Sequence, residues 1–118
     1  MSIYQDVILD HYHSPRNEGR IKNPSNSVSL SNPLCGDTIV MDVVEKNGKI
    51  ERIAHISTGC AISKASASML TEYVKGKTKD EVVKLDKDFI LTMLGIELSA
   101  NRLRCALLPL ESLHKLIK

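Results

Sequence analysis

The chain has 118 residues, 42% hydrophobic and 25% charged, with three cysteines and a formal net charge of +2. This describes one domain spanning 1–118, large enough to bury a modest core without disulfides or a structural metal, and disorder is not its default. So small a charge, with no dense run of Lys or Arg, no Trp and one Phe, argues against nucleic acid as a partner, and no apolar stretch is long enough for a membrane.

Ser2-Ile3-Tyr4-Gln5 has the form of a capping box, and Tyr4, Val7, Ile8, His11 and Tyr12 fall on one face of a helix that Ser14-Pro15 ends. Asp6 and Asp10 lie inside this first apolar segment, so it does not read as a secretory signal. With an odd number of cysteines, reduced thiols in a cytoplasmic protein are expected. Residues 16–26 read as loop. Val28 and Leu30 alternate with serines in a first strand, and residues 38–44 alternate in a second. Asn47-Gly48 is a strong hairpin signal, so residues 50–56 should return antiparallel, with Ile50, Ala54 and Ile56 on one face.

That third strand leads into Ser57-Thr58-Gly59-Cys60. Gly59 permits a sharp turn, after which Ile62, Met69, Leu70, Tyr73 and Val74 recur at helical spacing up to Gly76 in the C′ position. Cys60 is expected in the first turn of this helix, where unpaired N–H groups favour negative charge. The small residues Ala61, Ser63, Ala65, Ser66 and Ser68 leave room for a bulky group. Alone, Cys60 reads equally well as a buried, inert thiol.

Thr78-Lys79-Asp80-Glu81 is a second capping box, opening a short helix through Val82, Val83 and Leu85. Asp86 caps a further helix with Phe89, Ile90, Met93 and Leu94 on one face and Gly95 closing it. Residues 96–102 read as loop. In the last helix Leu107, Leu110, Leu113 and Ile117 point inward, and Pro109, read as a first-turn proline, places Cys105 near the helix N-terminus. The fold class is α+β: a small three-stranded antiparallel sheet with helices packed on one face.

The three cysteines stand at three element boundaries. Pro33-Leu34-Cys35-Gly36-Asp37 is a turn, and the hairpin that follows carries the chain back to Cys60, so those two thiols should be neighbours. Cys35, Asp37, Cys60 and Cys105 together suit a tetrahedral zinc or a cluster iron, while soft sulfur excludes magnesium and calcium. No Cys-x-x-Cys pair is present, which excludes a zinc ribbon and a thioredoxin-type redox centre. Without the cysteines, Asp37 would read as a turn residue. Arg104 is either a solvated charge or a stabiliser of a neighbouring thiolate or persulfide. His11, His13, His55 and His114 read as surface or core histidines and Lys64 as solvent-facing. No histidine is placed as the general base of a cysteine hydrolase.

Cys35-Gly36-Asp37, Gly59-Cys60-Ala61-Ile62-Ser63 with Ala65-Ser66-Ala67-Ser68, and Arg104-Cys105-Ala106 resemble the motifs of the NifU/IscU-type iron–sulfur cluster assembly proteins. Asp10-His11-Tyr12 and Pro15-Arg16-Asn17 resemble that family's opening, so the likeness runs from first helix to last. The resemblance implies a SufE/NifU-like fold. It also implies a scaffold that takes sulfur from a cysteine desulfurase of the IscS/SufS kind, assembles a transient [2Fe–2S] cluster from iron and sulfide, and passes it to acceptor proteins. Cys35, Asp37, Cys60 and Cys105 would be the ligands, and Cys60 or Cys105 the sulfur acceptor. The alternative it implies is a SufU-like protein that binds zinc in the same site and relays persulfide sulfur to a separate scaffold. Arg104 stands where the IscU branch has histidine and the SufU branch a basic residue. The additional SufU segment before the third cysteine and the Leu-Pro-Pro-Val-Lys stretch of IscU are both absent.

Overall fold

The computed structural model describes residues 3–33 and 36–117, the first two of these as backbone only. Ser2 of the expected capping box, the side chain of Tyr4, and Cys35 lie outside the described residues. The elements are α1 (Ile3–His13), β1 (Asn26–Asn32), β2 (Asp37–Lys46), β3 (Lys49–Thr58), α2 (Ala61–Val74), α3 (Lys79–Val83), α4 (Lys87–Leu94) and α5 (Ala100–Ile117). The strands form one antiparallel sheet in the order β1-β2-β3. Asn47 and Gly48 both take positive φ, 55° and 76°, the backbone that matches a tight hairpin to the twist of its strands.

On β2, Asp37, Ile39, Met41 and Val43 alternate onto the buried face. Leu70 and Val74 of α2, Ile90 and Leu94 of α4, and Leu113 and Leu116 of α5 are buried in the same core. Each such aliphatic side chain contributes roughly 1.5–3 kcal/mol on burial. On the opposite face Asp42 is also buried, because the segment before β1 folds over it. Arg20 donates to it through Nε at 2.7 Å and Nη2 at 3.1 Å, the Ile21 N–H at 3.0 Å and the Ser27 hydroxyl at 2.5 Å. Burial alone would raise the Asp42 carboxyl; these donors outweigh it and bring its pKa to about 2.

β3 departs from the expected face. Ile53, His55 and Ser57 are buried, whereas Ile56 is 39% exposed. Val44 pairs with Arg52 and Glu45 with Ile50, which leaves Glu51 as an extra residue. This bulge reverses the alternation, so Ile50 and Ile53 share the inner face. The free edge of β3 is covered at both ends. The His55 N–H donates to the Asn17 carbonyl at 2.9 Å, and the Gly76 N–H to the Ile50 carbonyl at 2.7 Å.

Ile8 of α1 is buried, but Val7 and Leu9 are exposed, so the stripe through Val7 turns only partly inward. The Ser68 hydroxyl of α2 ties down the end of this helix: it accepts the Arg16 N–H at 2.8 Å and lies 2.6 Å from His11 Nδ1. Thr78 and Glu81 form the expected capping box, Asp86 caps α4 through the Phe89 N–H, and Gly95 ends α4 in the left-handed region. Tyr73 is exposed rather than inward, edge-on to Phe89 with Lys77 Nζ 4.9 Å over its ring.

α5 begins at Ala100, earlier than the sequence suggested, because Ser99 caps it. The Ser99 carbonyl accepts the Leu103 N–H at 2.8 Å and its hydroxyl the Arg102 N–H at 3.3 Å. Pro109 is therefore interior to the helix, and Cys105, its sixth residue, sits in the second turn instead of at the N-terminus. Leu107 is only half-buried, while Leu108, Leu110, Leu113, Leu116 and Ile117 face inward.

Candidate functional site

The hairpin sets the site. β2 starts where β3 ends, with Thr38 opposite Thr58, so Asp37 arrives beside the turn into α2. Cys60 is the N-cap of α2, with extended backbone (φ −75°, ψ 160°), and its side chain makes no capping bond. Instead it engages Asp37. The Cys60 N–H donates to Asp37 Oδ1 at 2.9 Å and the thiol faces Oδ2 at 3.5 Å. Asp37 is fully buried, and no cationic side chain among the described residues pairs with it. Burying a carboxylate without a cation is costly, which suits a place meant for a metal.

Gly59 makes this approach possible. Its φ is +122°, and a Cβ there would lie within 3.0 Å of Oδ1, Cγ and Cα of Asp37. From α5, Cys105 closes the group at 2% exposure. One ligand atom each from Asp37, Cys60 and Cys105 lies within 4.8 Å of the others. Two soft sulfurs and one hard oxygen at this separation can share a zinc or cluster iron.

Of the four residues singled out from the sequence, the structure brings together Asp37, Cys60 and Cys105; Cys35 lies outside the described residues. Asp37 is not a local turn residue, since its oxygens reach across to Cys60. Arg104 is exposed and borders a hollow of about 300 Å³ with Ser31, Asn32, Pro33, Leu108 and Glu111. His55 is a core residue: Nε2–H donates to the Arg16 carbonyl at 2.9 Å and Nδ1 lies 3.0 Å from the Ser57 hydroxyl. Burial, the largest influence, holds its pKa below the ordinary value. His114 Nε2 donates to the Val82 carbonyl at 3.2 Å. Lys64 does not simply reach solvent; its Nζ sits 5.5 Å over the Tyr12 ring. Sequence reading missed two features: the contact of Gly59 with Asp37, and the complete burial of the Ser63 hydroxyl. The first had a signal in glycine at a turn; the second had none.

Among the described residues, no helix is long and apolar enough to cross a membrane. Residues 3–118 match the model of the NifU-like N terminal domain. An iron–sulfur cluster assembly scaffold protein, IscU 1, of Archaeoglobus fulgidus is 35% identical over 115 residues, covering 98% of this chain and 74% of that protein. The zinc-dependent sulfurtransferase SufU of Bacillus subtilis is 33% identical over 131 aligned positions, covering 97% of this chain and 88% of that protein. Those positions outnumber the 118 residues here, so at least 13 residues of the Bacillus protein have no counterpart in this chain. A crystal structure of a candidate iron–sulfur cluster assembly scaffold protein for the SUF system, from Fervidobacterium islandicum, superposes with a TM-score of 0.83 at 25% identity, covering 100% of this chain and 96% of that one. With its three-stranded antiparallel sheet, its helices and a family match that runs almost end to end, the chain belongs to the NifU-like N-terminal domain family.

Proposed function

We propose that this chain is an iron–sulfur cluster assembly scaffold. It accepts sulfur from a cysteine desulfurase, assembles a [2Fe–2S] cluster as cargo on Cys35, Asp37, Cys60 and Cys105, and hands it to acceptor proteins. The observation that carries the reading is the convergence of Asp37, Cys60 and Cys105 within 4.8 Å, with a buried carboxylate that no cation among the described residues pairs with. The names of its relatives support the same role. Sulfur arrives when a thiolate of this chain attacks the outer sulfur of a desulfurase persulfide. The new S–S bond forms here and the desulfurase cysteine leaves as thiolate; converting that sulfur to sulfide takes two electrons from an external thiol or ferredoxin-type donor. Cys60 is half-buried where Cys105 is almost wholly covered, so Cys60 is the acceptor that an incoming persulfide reaches in this conformation.

A second reading, zinc-dependent sulfur relay to a separate scaffold, is favoured by Arg104 before the third cysteine and by the likeness to SufU. The unmatched residues of the Bacillus protein weigh against it. Metal analysis of protein purified without oxygen separates the two. Iron with acid-labile sulfide, transferable to an apo-acceptor, supports the scaffold; zinc alone, with sulfur passed on to another scaffold, supports the relay.

A further inference from the structure

Ser63 is fully buried, and its Oγ has no hydrogen-bond partner among the described residues. A hydroxyl removed from water and left unpaired is destabilising, so folded proteins rarely keep one without a use. Helical geometry says what this one faces. Ser63 stands one turn after Cys60, residues three apart share a helix face, and helical side chains lean toward the N-terminus, here toward the Cys60 turn. Ser66, a turn further along the same ridge, donates to the Ala106 carbonyl of α5 at 2.7 Å. The ridge through Cys60, Ser63 and Ser66 therefore faces α5 where Cys105 adjoins Ala106. The unpartnered hydroxyl thus stands on α2 between the Cys60 turn and the contact with Ala106, the residue after Cys105.

We infer that Ser63 is a positioning residue whose hydroxyl donates a hydrogen bond to a site sulfur, the thiolate of Cys60 or Cys105, when the site holds metal or cluster. The inference rests on the ligand assignment proposed above. A metal-free thiol is only a weak acceptor, whereas a metal-bound thiolate is a charged one, and a hydrogen bond to a charged acceptor is among the stronger ones. Such bonds also set how firmly thiolates hold a metal and raise the reduction potential of a cluster. Ser63 thus places a small cost on the empty protein that loading removes.

The two states give Ser63→Ala effects of opposite sign, which a purely structural serine would not. The test is thermal unfolding of the metal-free protein together with zinc(II) titration against a chromophoric chelator, for wild type, Ser63→Ala, Ser66→Ala and Cys105→Ser. Ser63→Ala should melt at the same temperature as metal-free wild type or higher, yet bind zinc about tenfold more weakly, the loss expected for one hydrogen bond to a charged group. Ser66→Ala, which breaks an internal bond, should melt lower and bind zinc as wild type does. Zinc affinity within twofold of wild type in Ser63→Ala overturns the inference, as does a lower melting temperature of the metal-free variant. Cys105→Ser keeping full zinc affinity would instead overturn the ligand assignment, and the role of Ser63 with it.

Discussion

Gly59→Ala is the substitution that presses hardest on the site. The backbone there has φ +122°, where an L side chain is strained by roughly 1–3 kcal/mol. At about 4 °C per kcal/mol for a domain of this size, the melting temperature should fall by on the order of 4–12 °C. The added methyl must also displace Asp37, because it would lie within 3.0 Å of that residue's Oδ1, Cγ and Cα. Moving Asp37 breaks its bond from the Cys60 N–H and takes the carboxylate away from both sulfurs. Metal affinity should therefore drop along with stability. A double-mutant cycle separates the two causes: in an Asp37→Ala background the clash with Oδ1 and Cγ is gone, while the φ strain and the backbone contact remain. Gly59→Ala should then cost less than in wild type, by a difference that thermal unfolding and zinc(II) titration both register. An equal cost in both backgrounds, or a Gly59→Ala protein that melts and binds as wild type does, would refute the proposed packing of Gly59 on Asp37.

Two other predictions follow from buried groups. His55 and His11 both have pKa values held below the ordinary 6.5, mainly by burial. The stability linked to them is complete above 6.5 and is lost as pH falls through their lower folded values. Chemical denaturation from pH 8 down to about 5 should show declining stability, and His55→Gln should flatten part of that slope; an unchanged slope contradicts the buried, neutral His55. Asp37→Ala should still assemble a cluster but release it to an apo-ferredoxin several-fold more slowly, because a hard oxygen matches cluster iron less well than a thiolate and should open first. Unchanged or faster release would dismiss Asp37 as the exit ligand.

Much of this fold is local in origin, which is why it could be read from the sequence. Asn47-Gly48 fixes the hairpin, Thr78 with Glu81 opens α3, and Asp86 and Gly95 bracket α4. Where the reading failed, strand register, an earlier helix cap or tertiary packing had won. The bulge at Glu51 reverses the faces of β3, a register effect that alternation cannot reveal. Pro109 reads as a helix opener, but Ser99 caps α5 earlier and the apolar packing of Leu108, Leu110 and Leu113 carries the helix through the proline. The site divides the same way. Nothing in the spacing of Cys60 and Cys105 says that α2 and α5 bring them together; their placement at element boundaries and the motif resemblance supplied that expectation. The grip of Cys60 on Asp37 and the orphan hydroxyl of Ser63 exist only once three elements are packed.

The central claim is that Asp37, Cys60 and Cys105, with Cys35, hold an iron–sulfur cluster as cargo. The most direct test is anaerobic reconstitution with a cysteine desulfurase, cysteine and ferrous iron, followed by iron and acid-labile sulfide analysis of wild type and Cys105→Ser, with circular dichroism to establish that both are folded. Equal amounts of iron and labile sulfide in wild type, and the loss of both in a folded Cys105→Ser, are the predicted result. A folded Cys105→Ser that retains the full complement, or a wild type that takes up no labile sulfide, would contradict it.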